Sequence, residues 1–162
     1  MEKPGPGGLS NNDPAQIVEK ISRYCAYQER CSREVEQKLR EWEVPAAKAE
    51  AIMKYLSEGG FLDDARFART FAGSKFRLNK WGRLKIRFEL KSRNIPDNII
   101  AEAFKVIHEE DYLQTIRELI LKKHQEIKAG KSLNIRQKII TFVNGKGYEF
   151  DLIAEALKEL KI

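Results

Sequence analysis

The chain has 162 residues, 42% of them hydrophobic and 33% charged, with no run of about 18 apolar residues and no charged-then-apolar start, so neither a membrane span nor a secretory leader is expected. Its formal charge of +6 is local: Lys plus Arg against Asp plus Glu stand at 9 against 10 over residues 1–60, 10 against 3 over 61–95 and 11 against 11 over 96–162. A cationic block between balanced flanks can form one positive surface, suited to phosphates or to an acidic protein groove.

Residues 1–12, MEKPGPGGLSNN, have almost nothing to bury and are expected to form a flexible tail. A helix follows over Asp13 to Gln28, opened by Asp13 as N-cap, Pro14 at the first position and Gln16 as capping-box partner, with Ile17, Ile21 and Tyr24 on its inner face. Cys25 and Cys31 are six residues apart without CxxC spacing or a nearby histidine, which argues for reduced thiols near a helix end rather than a metal site.

From there the chain repeats. Aligned at Pro45, Pro96 and Glu149, three segments carry Val35, Ile86 and Ile139 ten positions before the anchor, Leu39, Leu90 and Val143 six before, and Val44, Ile95 and Tyr148 one before. After the anchor, Ala49, Ile100 and Ile153 stand at plus four, Met53, Phe104 and Leu157 at plus eight, and Leu56, Ile107 and Leu160 at plus eleven. These spacings each mark one helical face, and anchors about fifty residues apart indicate an array of supersecondary units. Further first helices are expected over Asp63 to Leu78, with Phe67 and Phe71 inside, and over Asp111 to Lys128, with Leu113, Ile116 and Ile120 inside. Gly59 and Gly60 close one helix before Phe61, while Asp63 and Asn134 are candidate caps.

The reading is therefore all-α: a tandem array of three three-helix repeats over residues 13–60, 61–108 and 109–162. Asn94 and Gly147 suit a left-handed turn between the second and third helices, whereas Glu43 in the first repeat either costs about 1 kcal/mol there or marks a different turn. Leu84 to Leu90, LKIRFEL, alternates as a strand would, but the repeat register makes it a helix with Ile86 and Leu90 inward. Leu84 and Phe88 then point elsewhere, either onto a neighbouring repeat, the preferred reading, or outward as apolar anchors for a partner.

No catalytic constellation, glycine-rich phosphate loop or metal-ligand spacing is present in the sequence, so no enzyme activity and no cofactor are expected. His108, beside Glu109, Glu110 and Asp111, fits a solvated helix junction, and Asp63 with Asp64 fits the start of a helix. The basic block is the candidate surface. Lys75, Arg77 and Lys80 lead out of one helix, and Arg83, Arg87 and Lys91 recur every four residues along the next, as would suit a phosphate backbone or an acidic partner. Two readings of Trp81 stand, a stacking platform or inter-helix packing.

The run FLDDARFARTF, then Lys80-Trp81 and Gly82, then a basic helix ending in SRNIP, resembles the signature of the RecX family, regulators of the bacterial recombinase RecA. The likeness is strongest over Phe61 to Phe104, and the repeat pattern extends it across Asp13 to Ile162. The resemblance implies an elongated, curved array of helix-turn-helix-like repeats. Such a protein lies in the helical groove of the RecA filament on single-stranded DNA and limits filament growth, ATP hydrolysis, strand exchange and co-protease activity. It would place the chain, as a cytoplasmic monomer, in homologous recombination, DNA repair and the SOS response. The alternatives are a helix-turn-helix-like protein that binds DNA directly, with Arg83 to Lys91 as reading segment, and a helical-repeat adaptor for an unrelated protein.

Overall fold

The computed structural model describes residues 13–130 and 133–162; the tail expected over residues 1–12 lies outside them. Nine α-helices occur among the described residues: α1 (Pro14–Tyr27), α2 (Ser32–Glu41), α3 (Ala46–Glu58), α4 (Asp64–Asn79), α5 (Arg83–Ser92), α6 (Asp97–Ala103), α7 (Glu109–Ala129), α8 (Ile135–Gly145) and α9 (Phe150–Glu159). A 3-10 turn, Phe104–Val106, extends α6. None of these helices is long and apolar enough to cross a membrane. The chain divides into two compact units, one ending at Phe67 and the other Ala68–Ile162.

The three-helix register holds before the anchors, while after them Leu56, Ile100, Ile107, Ile153 and Leu157 are buried and Ala49, Met53, Phe104 and Leu160 half-buried. All nine apolar positions before the anchors are buried: Val35, Leu39 and Val44, then Ile86, Leu90 and Ile95, then Ile139, Val143 and Tyr148. LKIRFEL is helical, within α5, because only a helix carries Ile86 and Leu90 into the core together. The left-handed turn recurs in all three repeats, at Glu43 (φ 56°), Asn94 (φ 60°) and Gly147 (φ 98°). In the first two, the next residue closes the preceding helix, with Val44 N donating to Leu39 O at 3.0 Å and Ile95 N to Leu90 O at 3.1 Å. The question left by Glu43 is thus resolved: the turn is the same, and burial of Val44 offsets the cost of placing a side chain there.

In the unit ending at Phe67, Ile17, Ile21, Val35, Leu39, Ile52, Leu56 and Leu62 form one cluster. Asp13 caps α1, its Oδ1 accepting from Ala15 N at 3.2 Å. At Gly60 the backbone turns left-handed (φ 74°) and Phe61 N donates to Leu56 O at 2.9 Å, ending α3. The paired aspartates act as caps, on two different helices. Asp63 Oδ1 accepts from Arg66 N at 3.0 Å, and Asp64 Oδ1 accepts from Ser32 N, at the start of α2, at 2.7 Å. Arg66 Nε bridges both oxygens of Glu29 at 2.9 and 3.0 Å, so this signature arginine is a strut.

Cys25 lies in the last turn of α1 and Cys31 is the N-cap of α2; both are free and buried. Burial pushes the Cys31 thiol up from 9.0 to about 11, with the Glu34 and Asp64 carboxylates adding to the rise. The folded state thus holds the proton more tightly than the unfolded one. The stability this contributes is complete below pH 9.0 and lost as pH rises through about 11. Thiol-reagent titration of the native protein at pH 8 is expected to label neither cysteine on the timescale of unfolded controls; rapid labelling of Cys31 would contradict its burial.

Candidate partner-binding surface

The second repeat builds its basic surface from the end of α4, a short connection and α5. Helix α4 stops where Lys80 turns left-handed (φ 56°), and Trp81 N reaches back to Lys75 O at 3.1 Å. Gly82 then enters α5 as its N-cap, donating its N–H to Lys146 O at 2.8 Å, and Leu84 N donates to Gly147 O at 2.9 Å. This approach is possible only because both residues lack a side chain. A Cβ on Gly82 would stand 2.3 Å from the Gly147 carbonyl carbon and oxygen, and one on Gly147 would stand 2.4 Å from Lys85 Cβ. From Ala68 onward the second repeat thereby shares one compact unit with the third, Ala68–Ile162.

Of the six candidate cations, the structure assigns Arg83 to this joint. Its side chain is only 22% exposed, pairs with Glu109 at the start of α7, stands 4.0 Å from Glu149 at the start of α9, and lies 3.9 Å over the Tyr112 ring. Arg83 N also donates to the Tyr112 hydroxyl at 2.9 Å, which in turn donates to Glu149 Oε2 at 2.6 Å. Burial, and then the bond to Glu149, push the Tyr112 phenol far above its ordinary value. Tyr148 donates to Lys80 O at 2.9 Å and packs 5.0 Å from Tyr112, while Phe76 closes the stack at 5.8 Å.

The other five stay on the surface. Arg77 and Lys80 are exposed at the end of α4. Arg87 and Lys91 share one carboxylate, Asp97, at 3.6 and 3.4 Å, and Arg87 also leans over Phe104 at 5.3 Å. Lys75 lies over the rings of Phe71 at 5.5 Å and Trp81 at 4.8 Å. Two cations outside the four-residue spacing join them: Lys85 over Trp81 at 4.4 Å and Arg93 over Phe71 at 5.0 Å, the latter also paired with Glu89 at 3.0 Å. Lys75, Lys85 and Arg93 therefore converge on an edge-to-face pair, Phe71 and Trp81, whose centroids are 6.4 Å apart. Trp81 is half-buried in this packing, between α4 and α5. The count of ten cations over residues 61–95 contained Lys85 and Arg93; only their aromatic partners were hidden.

Leu84 and Phe88 correct the preferred expectation of packing onto a neighbouring repeat. Phe88 is 72% exposed and Leu84 47%, because the close backbone contact at Gly82 and Gly147 joins the repeats at the start of α5 rather than along its outer face.

Family models match all three repeats: the first three-helix domain of RecX over residues 19–56, the second over 63–103 and the third over 109–157. A regulatory protein RecX of Clostridium acetobutylicum is 34% identical over 132 residues, which are 79% of this chain and 61% of that protein. One of Prosthecochloris aestuarii is 28% identical over 152 residues, 94% of this chain and 98% of that one. This chain thus spans about three fifths of the first relative and nearly all of the second. Among solved structures, RecX from Lactobacillus salivarius superposes with a TM-score of 0.83 at 22% identity, over 91% of this chain and 96% of that one, which shows a shared fold. With three consecutive domain matches across most of its length, the chain belongs to the RecX family of regulatory proteins.

Proposed function

We propose that the chain is a non-enzymatic modulator of the RecA recombinase. As a cytoplasmic monomer it binds the RecA filament on single-stranded DNA, within the helical groove, and inhibits filament growth, ATP hydrolysis, strand exchange and co-protease activity. The observation that carries the reading, beside family membership, is the sparsely compensated positive surface of the second repeat. Of the three carboxylates in residues 61–95, Asp63 and Asp64 accept backbone N–H groups and Glu89 pairs with Arg93. Among the described residues, Arg87 and Lys91 share the Asp97 carboxylate, and Lys75, Arg77 and Lys80 pair with no carboxylate. Arg83 contributes by fixing α5 against α7 and α9.

The placement of charge also favours this reading over direct base readout. A helix-turn-helix reader puts the last helix of the three into the major groove. Here that helix is α3 in the first repeat, with Lys48 and Lys54 against Glu50 and Glu58, α6 in the second, with Asp97 and Glu102, and α9 in the third, with Asp151, Glu155 and Glu159 against Lys158. None of them carries the net positive charge that a phosphate backbone attracts.

The test adds the protein to preformed RecA filaments on single-stranded DNA and follows ATP hydrolysis and filament length. Inhibition at stoichiometric concentration is expected, and no change would sink the reading. The double variant Arg87→Glu, Lys91→Glu, with Arg83 left in place, is expected to weaken inhibition at least about tenfold at low salt while melting as the wild type does. Full inhibition by that variant would move the contact off this helix. Tight, base-sequence-dependent duplex binding without RecA would establish the DNA-binding alternative instead.

A further inference from the structure

Helix α5 carries an exposed apolar strip that its core does not need. Ile86 and Leu90 are fully buried, while Leu84 and Phe88, one turn apart on the far side, are 47% and 72% exposed. At 100° per residue, Phe88 points almost directly away from the core, with Arg87 and Lys91 flanking it on one side and Lys85 on the other. These flanking cations are held by neighbours: Lys85 over Trp81, Arg87 over Phe104, and Arg87 and Lys91 against Asp97. Phe88 and Leu84 thus form an apolar centre within a rim of three cations and one carboxylate, the pattern of a protein-docking anchor with a polar rim.

We propose that Phe88 and Leu84 insert into an apolar pocket on an acidic protein surface, and that Lys85, Arg87 and Lys91 align with carboxylates around that pocket. Resting on the functional reading above, this assigns the occupant to a RecA subunit of the filament rather than to its DNA. A duplex phosphate backbone would engage the cations and leave the aromatic ring in water, and an unpaired base could stack on Phe88 but offers Leu84 no pocket, whereas an apolar pocket on an acidic protein takes both side chains and the cations. The cations orient the encounter and the apolar pair holds the complex, so part of the affinity survives salt that screens the rim.

The experiment measures binding of labelled wild type, Phe88→Ser, Leu84→Ser and Phe88→Leu to RecA filaments on single-stranded DNA, and to the same DNA alone, at low and moderate salt. Both positions lie outside the core, so thermal midpoints close to wild type are expected. Phe88→Ser should weaken filament binding at least about tenfold, with Leu84→Ser smaller, Phe88→Leu largely retained, and affinity for DNA alone unchanged. Undiminished filament binding by folded Phe88→Ser and Leu84→Ser overturns the proposal. An equal loss on DNA alone also overturns it, placing a nucleic-acid contact there. Absence of filament binding by the wild type itself fails the functional reading, and the assigned occupant falls with it.

Discussion

Alanine at Gly82 is expected to destabilise the unit Ala68–Ile162 by about 3 kcal/mol. The added Cβ would meet backbone: Gly147 C and O at 2.3 Å and Tyr148 N at 2.5 Å. No rotamer change relieves such a clash. The two strands of chain must separate, which strains the bonds from Gly82 N to Lys146 O at 2.8 Å and from Leu84 N to Gly147 O at 2.9 Å. Gly147→Ala meets Lys85 Cβ at 2.4 Å and Lys85 N at 2.6 Å, and adds the cost of a side chain at φ 98°. Gly145→Ala is the control: nothing lies within 4 Å of its Cβ, and it ends α8, where alanine is the better helix former.

The chain's two tryptophans, Trp42 and Trp81, fall one in each compact unit, so the effect can be assigned. With Trp42 replaced by Phe, the denaturant midpoint followed by Trp81 fluorescence should drop steeply for Gly82→Ala and Gly147→Ala, and stay level or rise for Gly145→Ala. Equal midpoints for all three would mean that the glycine contact contributes little.

Removing the Tyr112 hydroxyl has a somewhat smaller expected effect. Tyr112→Phe keeps the ring against Phe76 and Tyr148 but leaves Arg83 N and Glu149 Oε2 without the oxygen that joins them. An orphaned donor at the start of α5 and a half-buried carboxylate deprived of a donor cost about 1–3 kcal/mol. The phenol also sets an alkaline limit. Burial raises both Tyr112 and Tyr148 well above the ordinary 10.0, so each binds its proton more tightly when folded. Their stabilisation is complete below pH 10.0 and is lost progressively above it. Spectrophotometric titration is expected to show two of the five tyrosines ionising only as helicity is lost. Their ionisation with helicity intact would contradict the buried network.

The same network explains why the site was less legible than the fold. Arg83, Arg87 and Lys91 are equivalent in sequence, each four residues from the next, yet their partners differ. Arg83 meets Glu109, Tyr112 and Glu149, which lie 26, 29 and 66 residues further along the chain. Arg87 and Lys91 meet Asp97 in their own repeat. Charge spacing reports which side of a helix a residue occupies, and is silent on what the next repeat places opposite. Phe88 shows the same limit: an apolar residue off the core face implies a second contact, and only the joint at Gly82 and Gly147 shows that the repeats meet elsewhere.

By itself the sequence determined that three units of three helices form, that the nine apolar positions before the anchors enter the cores, and that Asn94 and Gly147 turn left-handed; Tyr24, Phe71 and Leu113, expected inside, are only half-buried, and Tyr112 takes the inner place in α7. Helix periodicity and turn chemistry act over fewer than about a dozen residues, so both are written locally. Tertiary structure alone decided that Glu43 accepts the left-handed turn, that Gly82 and Gly147 touch backbone to backbone, and that Arg83 is withdrawn from the basic surface. Each of these depends on atoms outside the local helical register: packing around Val44 in the first case, and contacts with residues 26 to 66 positions further along the chain in the others.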